Sequence, residues 1–331
     1  MPLPTIRDVA LVDEVLSNIS VAYAQKPGNF KAGMIAPVVN VTRQSGTYPT
    51  WDKGDMNRDD FRRRTPGGPF ARAGGAITSS TFLCENFGME EPVIDEIVKN
   101  SSGSVDPERA AVIRLTNKAF IRRERIVATD LFTTGVWAND FAGVASGPSS
   151  VQHIFWDNAA ATIVTDLHTR CDAIEESTGS RPNVFATNPA VWRTMKNDPE
   201  IVDRHKHTSA TPISKAAVAE ICGIGSEENP GKIVVMSSTY NTAAEGATTS
   251  MSFIIGDVGL LAYVAPAASL MEPSAIYTFV WADFNFVTDG GLAITRYREE
   301  QTKSDILRGE IYLDVRAVAT DCANFYSNIL T

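Results

Sequence analysis

The chain has 331 residues, 44% of them apolar and 21% charged, with a formal net charge of −9. That composition is ordinary for a globular protein with room for a substantial core in one large domain or two. The acidic balance argues against a protein whose main task is gripping nucleic acid, because phosphate binding needs a concentrated basic surface. No apolar run approaches the roughly 20 residues of a membrane span, and no basic-then-apolar leader opens the chain, so no membrane partner is expected. Cys84, Cys171, Cys222 and Cys322 are scattered, with no CxxC pair, and read as buried thiols in a reducing compartment.

Residues 1–45 mix short apolar pieces with Pro2, Pro4, Pro27, Gly28, Gly33 and Pro37. They read as an arm rather than a domain, with a short helix over 15–24 and an extended run over 34–41. In residues 46–92, acidic Asp52, Asp55, Asp59 and Asp60 precede basic Arg62, Arg63, Arg64 and Arg72, and a strand-like run over 76–87 closes the stretch. Large apolar residues are too few there to bury both faces. An extended two-stranded loop projecting from the body is expected, and such a loop needs a partner surface.

Asp106 is a good N-cap, Pro107 suits the first helical position, and Glu108 complements the dipole. The helix they open should stop before Gly135, and roughly 27 residues at 1.5 Å each give about 40 Å. Val112, Leu115, Ala119 and Ile126 fall near one stripe, while Arg122, Arg123, Glu124 and Arg125 lie away from it. A second helix is predicted from Asp157 or Asn158 to Thr178. Ala160, Ile163, Val164, Leu167, Cys171 and Ile174 form its apolar stripe, and Gly179 is its C′ residue.

A strand over 183–187 follows. Asn188-Pro189 and Asp198-Pro199 then each open a short helix, and residues 214–222 form another. A buried strand over 232–238, a polar loop over 240–250, and strands over 251–255 and 260–264 complete an α/β block at about 180–265. The last third is strand after strand: 276–284, 292–297 and 306–318. The densely charged connector 296–305 lies among them. Extended strands with a mixed-sign connector suit pairing with other chains better than cradling a small substrate.

The candidate chemistry is thin. The run 225–232 resembles a phosphate-binding loop, but its spacing is one residue too long, Ile233 replaces the required Ser/Thr, and a strand follows where a helix should. His205 and His207 form an HxH near Asp203 with no third histidine or nearby cysteine, and read as a solvated patch. Asp52, Asp55, Asp59 and Asp60 lack the EF-hand order of ligands. They read as ion-pair partners of arginines on the same loop or on a neighbouring subunit. No GxSxG, HExxH or strand-borne GxGxxG occurs, so no catalytic, metal or cofactor site is assigned and no enzyme is expected.

A set of short segments carries a family resemblance. In order they are RPNV (181–184), PAVW (189–192), DPEI (198–201), AEICG (219–223), KIVVMSS (232–238) and NTAAEG (241–246). LLAYVAP (260–266), PSAIYTFVW (273–281), REE (298–300) and KSD (303–305) follow. From roughly residue 12 to the end, the chain resembles tailed-bacteriophage major capsid proteins.

That resemblance implies an α+β chain with the phage major-capsid fold. Residues 1–45 would be an N-terminal arm, and 46–92 an extended β-hairpin loop lying over the adjacent subunit. Residues 93–179 would be a peripheral domain with a long spine helix, 180–265 an α/β axial domain, and 266–331 further peripheral-domain strands. The implied function is a shell subunit of the virion capsid that encloses double-stranded DNA and is assembled in the host cytoplasm. Its implied partners are itself, in pentamers and hexamers, a portal protein at one vertex, separate scaffolding and decoration proteins, and packaged DNA in non-specific proximity. A cellular nanocompartment shell of the same fold is the alternative, and an unrelated soluble enzyme a third reading.

Two interface patches are expected. Arg62, Arg63, Arg64 and Arg72, with Asp52, Asp55, Asp59 and Asp60, would pair with a neighbouring subunit, and Arg296, Arg298, Glu299 and Glu300 would line another contact. Trp51 is read as an anchor at the first contact or as a ring folded back on its own chain. Lys53 is the loop's sole lysine, and no asparagine or catalytic glutamate can be matched to it, so no covalent cross-link is expected.

Overall fold

Two main sheets share one apolar interior. The computed structural model describes residues 25–51, 53–68, 70, 72, 74, 77–101, 106–208, 212–267, 273–282 and 292–331. The helix expected over 15–24, Asp52, the start of the 76–87 run and the end of the 276–284 strand lie outside the described residues.

In chain order the first strands are β1 (Val38–Val41), β2 (Ser45–Trp51), β3 (Ile77–Leu83), β4 (Glu85–Ile94), β5 (Asn139–Val144), β6 (Gln152–Ile154), β7 (Val184–Thr187) and β8 (Lys232–Val235). They continue with β9 (Thr239–Asn241), β10 (Met251–Phe253), β11 (Gly259–Ala262), β12 (Ile276–Trp281), β13 (Leu292–Glu299), β14 (Ser304–Ala317) and β15 (Ala323–Ser327). The larger sheet has six strands in the order β6-β5-β15-β11-β7-β8. Its side chains divide by the period of two. Val184, Ala186, Val234, Leu260 and Ala262 enter one core cluster, and Phe185, Ile233, Val235 and Leu261 enter the other.

The second sheet runs β1-β12-β14-β13, with β4 also paired to β14. The register from Ser304↔Ile94 to Leu313↔Glu85 lays β4 along β14. Leu307, Ile311, Leu313 and Val315 of β14 point inward, with alternate residues outward.

The helices are α1 (Pro107–Leu131), α2 (Ile163–Thr178), α3 (Pro189–Lys196), α4 (Pro199–Thr208) and α5 (Lys215–Ile221), besides a few shorter turns. Local capping chemistry explains most of their starts. Asp106 accepts from the amides of Glu108 and Arg109, Asn188 from Val191, Asp198 from Glu200 and Ile201, and Ser214 from Ala217. Gly179 closes α2 in the left-handed region at φ 72°.

Several expectations need correction. The second helix begins at Ile163, not at Asp157 or Asn158. The intervening residues make turns instead: Asn158 donates to the Ala145 carbonyl, and the Trp156 amide bonds Ile329. Residues 34–41 are not one extended run, because a helical turn at Ala32–Ile35 precedes β1. The 76–87 run is broken at Cys84 into β3 and the start of β4.

Glu124, read as lying away from the buried stripe of α1, is fully buried at 0% exposure. Ala111 and Leu115 pack with Val93 and Leu307, whereas Val127 and Leu131 enter the main core. From position 115 to 127 a helix turns by about 120° beyond whole turns. The buried face therefore migrates round the helix, and no single stripe describes it. Sheet membership also cuts across the segments drawn from sequence. β5, β6 and β15 join β7, β8 and β11, although they come from the 93–179 and 266–331 segments.

Candidate subunit interface

The loop built on β2 and β3 is held at its base and exposed at its tip. The hairpin register runs from Ser45↔Leu83 to Trp51↔Ile77. Phe82 stacks on Phe279 of β12 with ring centroids 4.7 Å apart, and Tyr48 stacks on the same ring at 5.3 Å. Cys84 and Tyr277 complete this small core. Gly46 is required there, since a Cβ would sit 2.9 Å from the Phe82 ring. Lys53 forms an ion pair with Asp321. The base of the loop therefore packs on its own body.

Beyond Lys53 the chain changes character. Arg58 pairs with Asp55 at 3.3 Å. Phe61 is 100% exposed, and the Arg64 guanidinium lies 4.2 Å from the ring centre of Phe70, itself 75% exposed. Among the described residues, Arg62, Arg63, Arg72, Asp59 and Asp60 make no ion pair. A tip combining exposed aromatics with guanidinium groups matches the residue types enriched in protein contacts.

The second patch is wired internally. Arg296 of β13 bonds Glu108 at the start of α1 (3.1 Å) and pairs with Asp305 of β14. Arg298 grips Asp95 through both guanidinium nitrogens at 2.6 Å, reaches Asp305 at 3.4 Å, and lies 3.6 Å from Glu300. Arg308 bonds the directly opposed Glu90 at 2.6 Å and caps the Tyr297 ring. Hydrogen bonds from Arg298 to Asp95 and from Arg296 to Asp305 hold both carboxyl groups below their usual range. The Thr302 hydroxyl donates to Glu299 at 2.7 Å, and the Glu300 side chain is 85% exposed. Arg296 and Arg298 are thus engaged within the chain, clamping β13, β14 and the start of α1.

Sequence reading missed several buried polar groups, Glu124 and His153 among them. Glu124 accepts from the backbone amides of Lys31 and Ala32 and from the Ser238 hydroxyl, so it ties residues 31–32 to α1. Burial pushes its pKa up, opposed by those hydrogen bonds. His153 sits in β6 at 4% exposure. No local signal marks Glu124, because its partners come from distant parts of the chain.

The remaining chemical candidates take structural places. Residues 225–232 form a turn closed by a Gly225↔Pro230 bridge, with Gly225 at φ 91°. His205, read as part of a solvated patch, is instead buried within α4. Among the described residues no group of three or more His, Cys, Asp or Glu side chains could hold a metal ion, and no helix is long and apolar enough to cross a membrane.

Comparison with known proteins agrees with this architecture. No family model matches the chain. A curated relative, the major capsid protein of Burkholderia phage BcepMu, is 23% identical over 211 residues. The match covers 64% of this chain and 66% of the relative, so the chain spans just under two thirds of that protein's length. Among solved structures, a phage-related protein from Bordetella bronchiseptica gives a TM-score of 0.66 at 20% identity, covering 96% of this chain and 97% of the other. The capsid structure of cyanophage P-SCSP1u gives 0.54 at 12% identity, covering 93% and 89%. The SrpI encapsulin complex from Synechococcus elongatus gives 0.53 at 12% identity, covering 98% and 96%. The chain therefore has the fold of phage capsid and encapsulin shell subunits.

Proposed function

We propose that this chain is a major capsid protein, a structural and non-enzymatic subunit that assembles with copies of itself into the closed shell of a virion around double-stranded DNA. The observation that carries this reading is a phage capsid relative joined to a fold that matches phage capsid chains over nearly the whole length. A single sequence closes a shell when each subunit offers its neighbour a heterologous patch, with the rotation setting the ring size. The loop tip with Phe61, Arg62, Arg63, Arg64, Phe70 and Arg72 suits one side of such a patch, with Trp51, Asp52, Asp55, Asp59 and Asp60 on the same loop. Mixed-sign charge there sets register and rejects wrong partners more than it adds affinity. Arg296, Arg298, Glu299 and Glu300 would line a second contact, the two arginines being also paired within their own chain. Pentamers and hexamers, a portal protein at one vertex, separate scaffolding and decoration proteins, and assembly in the host cytoplasm belong to the same proposal.

The encapsulin neighbour supports a second reading, a nanocompartment around cargo protein, since its TM-score of 0.53 is nearly that of the cyanophage capsid at 0.54. The phage relative favours the first reading. Cryo-electron microscopy of assembled particles tests both. An icosahedral wall of fivefold and sixfold rings, with nuclease-protected DNA in infected-cell particles, supports the capsid reading. Particles filled with one protein and no nucleic acid would favour the nanocompartment.

A further inference from the structure

A cavity of about 180 Å³ lies between β6 and α2, lined in part by Gln152, His153, Trp156, Thr162, Asp166 and Arg170. Polar atoms without a hydrogen-bond partner among the described residues sit on three of its lining side chains, both ring nitrogens of His153, one Asp166 oxygen and Arg170 Nε, and the Tyr326 hydroxyl, likewise without one, belongs to the ring packed against His153 behind them. His153 is 4% exposed and Tyr326 0%, and their rings meet edge-on at 5.4 Å. Asp166 and Arg170 lie 3.4 Å apart, and the Tyr326 hydroxyl feels both of their charges.

Buried polar groups in folded proteins are nearly always satisfied, and each one left bare is costly. The ligand that satisfies these must both donate and accept. Arg170 and Tyr326 offer donors, Asp166 an acceptor, and a neutral imidazole one of each. The charges of Asp166 and Arg170 offset each other, so an added ion of either sign would be repelled by one of them at close range. An uncharged ligand fits. Water occupies polar cavities with several hydrogen-bonding partners, and at about 30 Å³ per molecule this one has room for several.

We infer that this cavity is a bound-water site, in which ordered water molecules bridge His153, Asp166, Arg170 and Tyr326 and so join β6, α2 and β15. The hydration replaces direct side-chain contacts between three elements that are far apart in sequence.

The sign of one substitution tests this. If the Tyr326 hydroxyl is bonded to water, Tyr326→Phe removes a satisfied bond and the unfolding constant of the full chain in dilute solution rises about fivefold, what one net hydrogen bond is worth. If the hydroxyl is bare in a dry core, the same change removes a penalty and the constant falls. A fall, or no change, overturns the proposal. A map at better than 2 Å of both the unassembled subunit and the shell provides a second measurement that does not depend on a variant folding. Solvent peaks within hydrogen-bond reach of His153, Asp166 and Tyr326 in both states are expected. An empty cavity, directly paired side chains, or a neighbouring subunit's side chain filling the site in the shell would each overturn it.

Discussion

Acidification from pH 7 to pH 4 is expected to weaken the fold through His153 by roughly 3 kcal/mol. Burial, followed by the positive charge of Arg170, pushes this imidazole down from 6.5 to about 4. In the unfolded chain the ring takes up a proton near its ordinary value of about 6.5. Between those values the unfolded state binds a proton that the folded state refuses. The stability contribution is therefore complete above about pH 6.5, declines as pH falls, and is lost by about pH 4. A gap of about 2.5 pH units at about 1.36 kcal/mol per unit gives the magnitude. Arg170 and Tyr326 lie beside the ring, Asp166 lines the same cavity, and burial raises the pKa of Asp166, so the wild-type curve alone would mix several titrations. His153→Phe keeps those neighbours and removes the imidazole. Urea unfolding of both proteins across this range can be followed by the fluorescence of Trp156, whose ring lies 6.4 Å from that of His153. Wild type should lose stability relative to the variant by the stated amount. A difference that stays flat from pH 7 to pH 4, or a His153 C2 proton titrating near 6.5 by NMR, would refute the reasoning.

Other perturbations address the arm, the loop base and the loop tip. Glu124→Ala strips the buried acceptor from the Lys31 and Ala32 amides and should cost about 2–4 kcal/mol, with faster proteolysis at residues 25–36. Glu124→Gln keeps one acceptor oxygen and should cost less, and equal losses for the two would contradict the hydrogen-bond account. Phe82→Ala should cost about 3 kcal/mol in thermal unfolding, because it removes the ring that stacks on Phe279, and a change under about 1 kcal/mol would mean that the hairpin base is not pinned there. Arg63→Glu should leave the circular dichroism spectrum and melting temperature of the subunit unchanged while blocking closed particles. Normal shells from that variant would count against the loop as a subunit contact.

What was legible in the sequence was the chemistry that closes within a few residues. Asp106-Pro107, Asn188-Pro189, Asp198-Pro199 and Ser214 announce helix starts because cap and amide lie within three residues of each other. Gly179 announces an end for the same reason. The start of α2 misled because Asn158 looks like a cap, yet its side chain bonds Ala145 and Ala160 in a turn. The burial of Glu124 was illegible, since it depends on residues 31–32 and Ser238 arriving from elsewhere. Some strand positions could be read, but β5, β6 and β15 were not found from the sequence, and partners could not be read at all. Nothing in ANFYS (323–327) says that it lies between β5 and β11 rather than beside β14. The charges at 296–305 could be read for sign but not for their partners within the chain, Glu108, Asp95 and Asp305.

The most direct measurement is sedimentation velocity of the purified full chain at low and high salt, with negative-stain imaging of the same samples. The expected result is megadalton closed particles, or rings of five and six subunits, with a salt-dependent balance between them. A homogeneous dimer or tetramer at every salt and protein concentration, also when made alongside the other head proteins of its source, would contradict the shell-subunit reading.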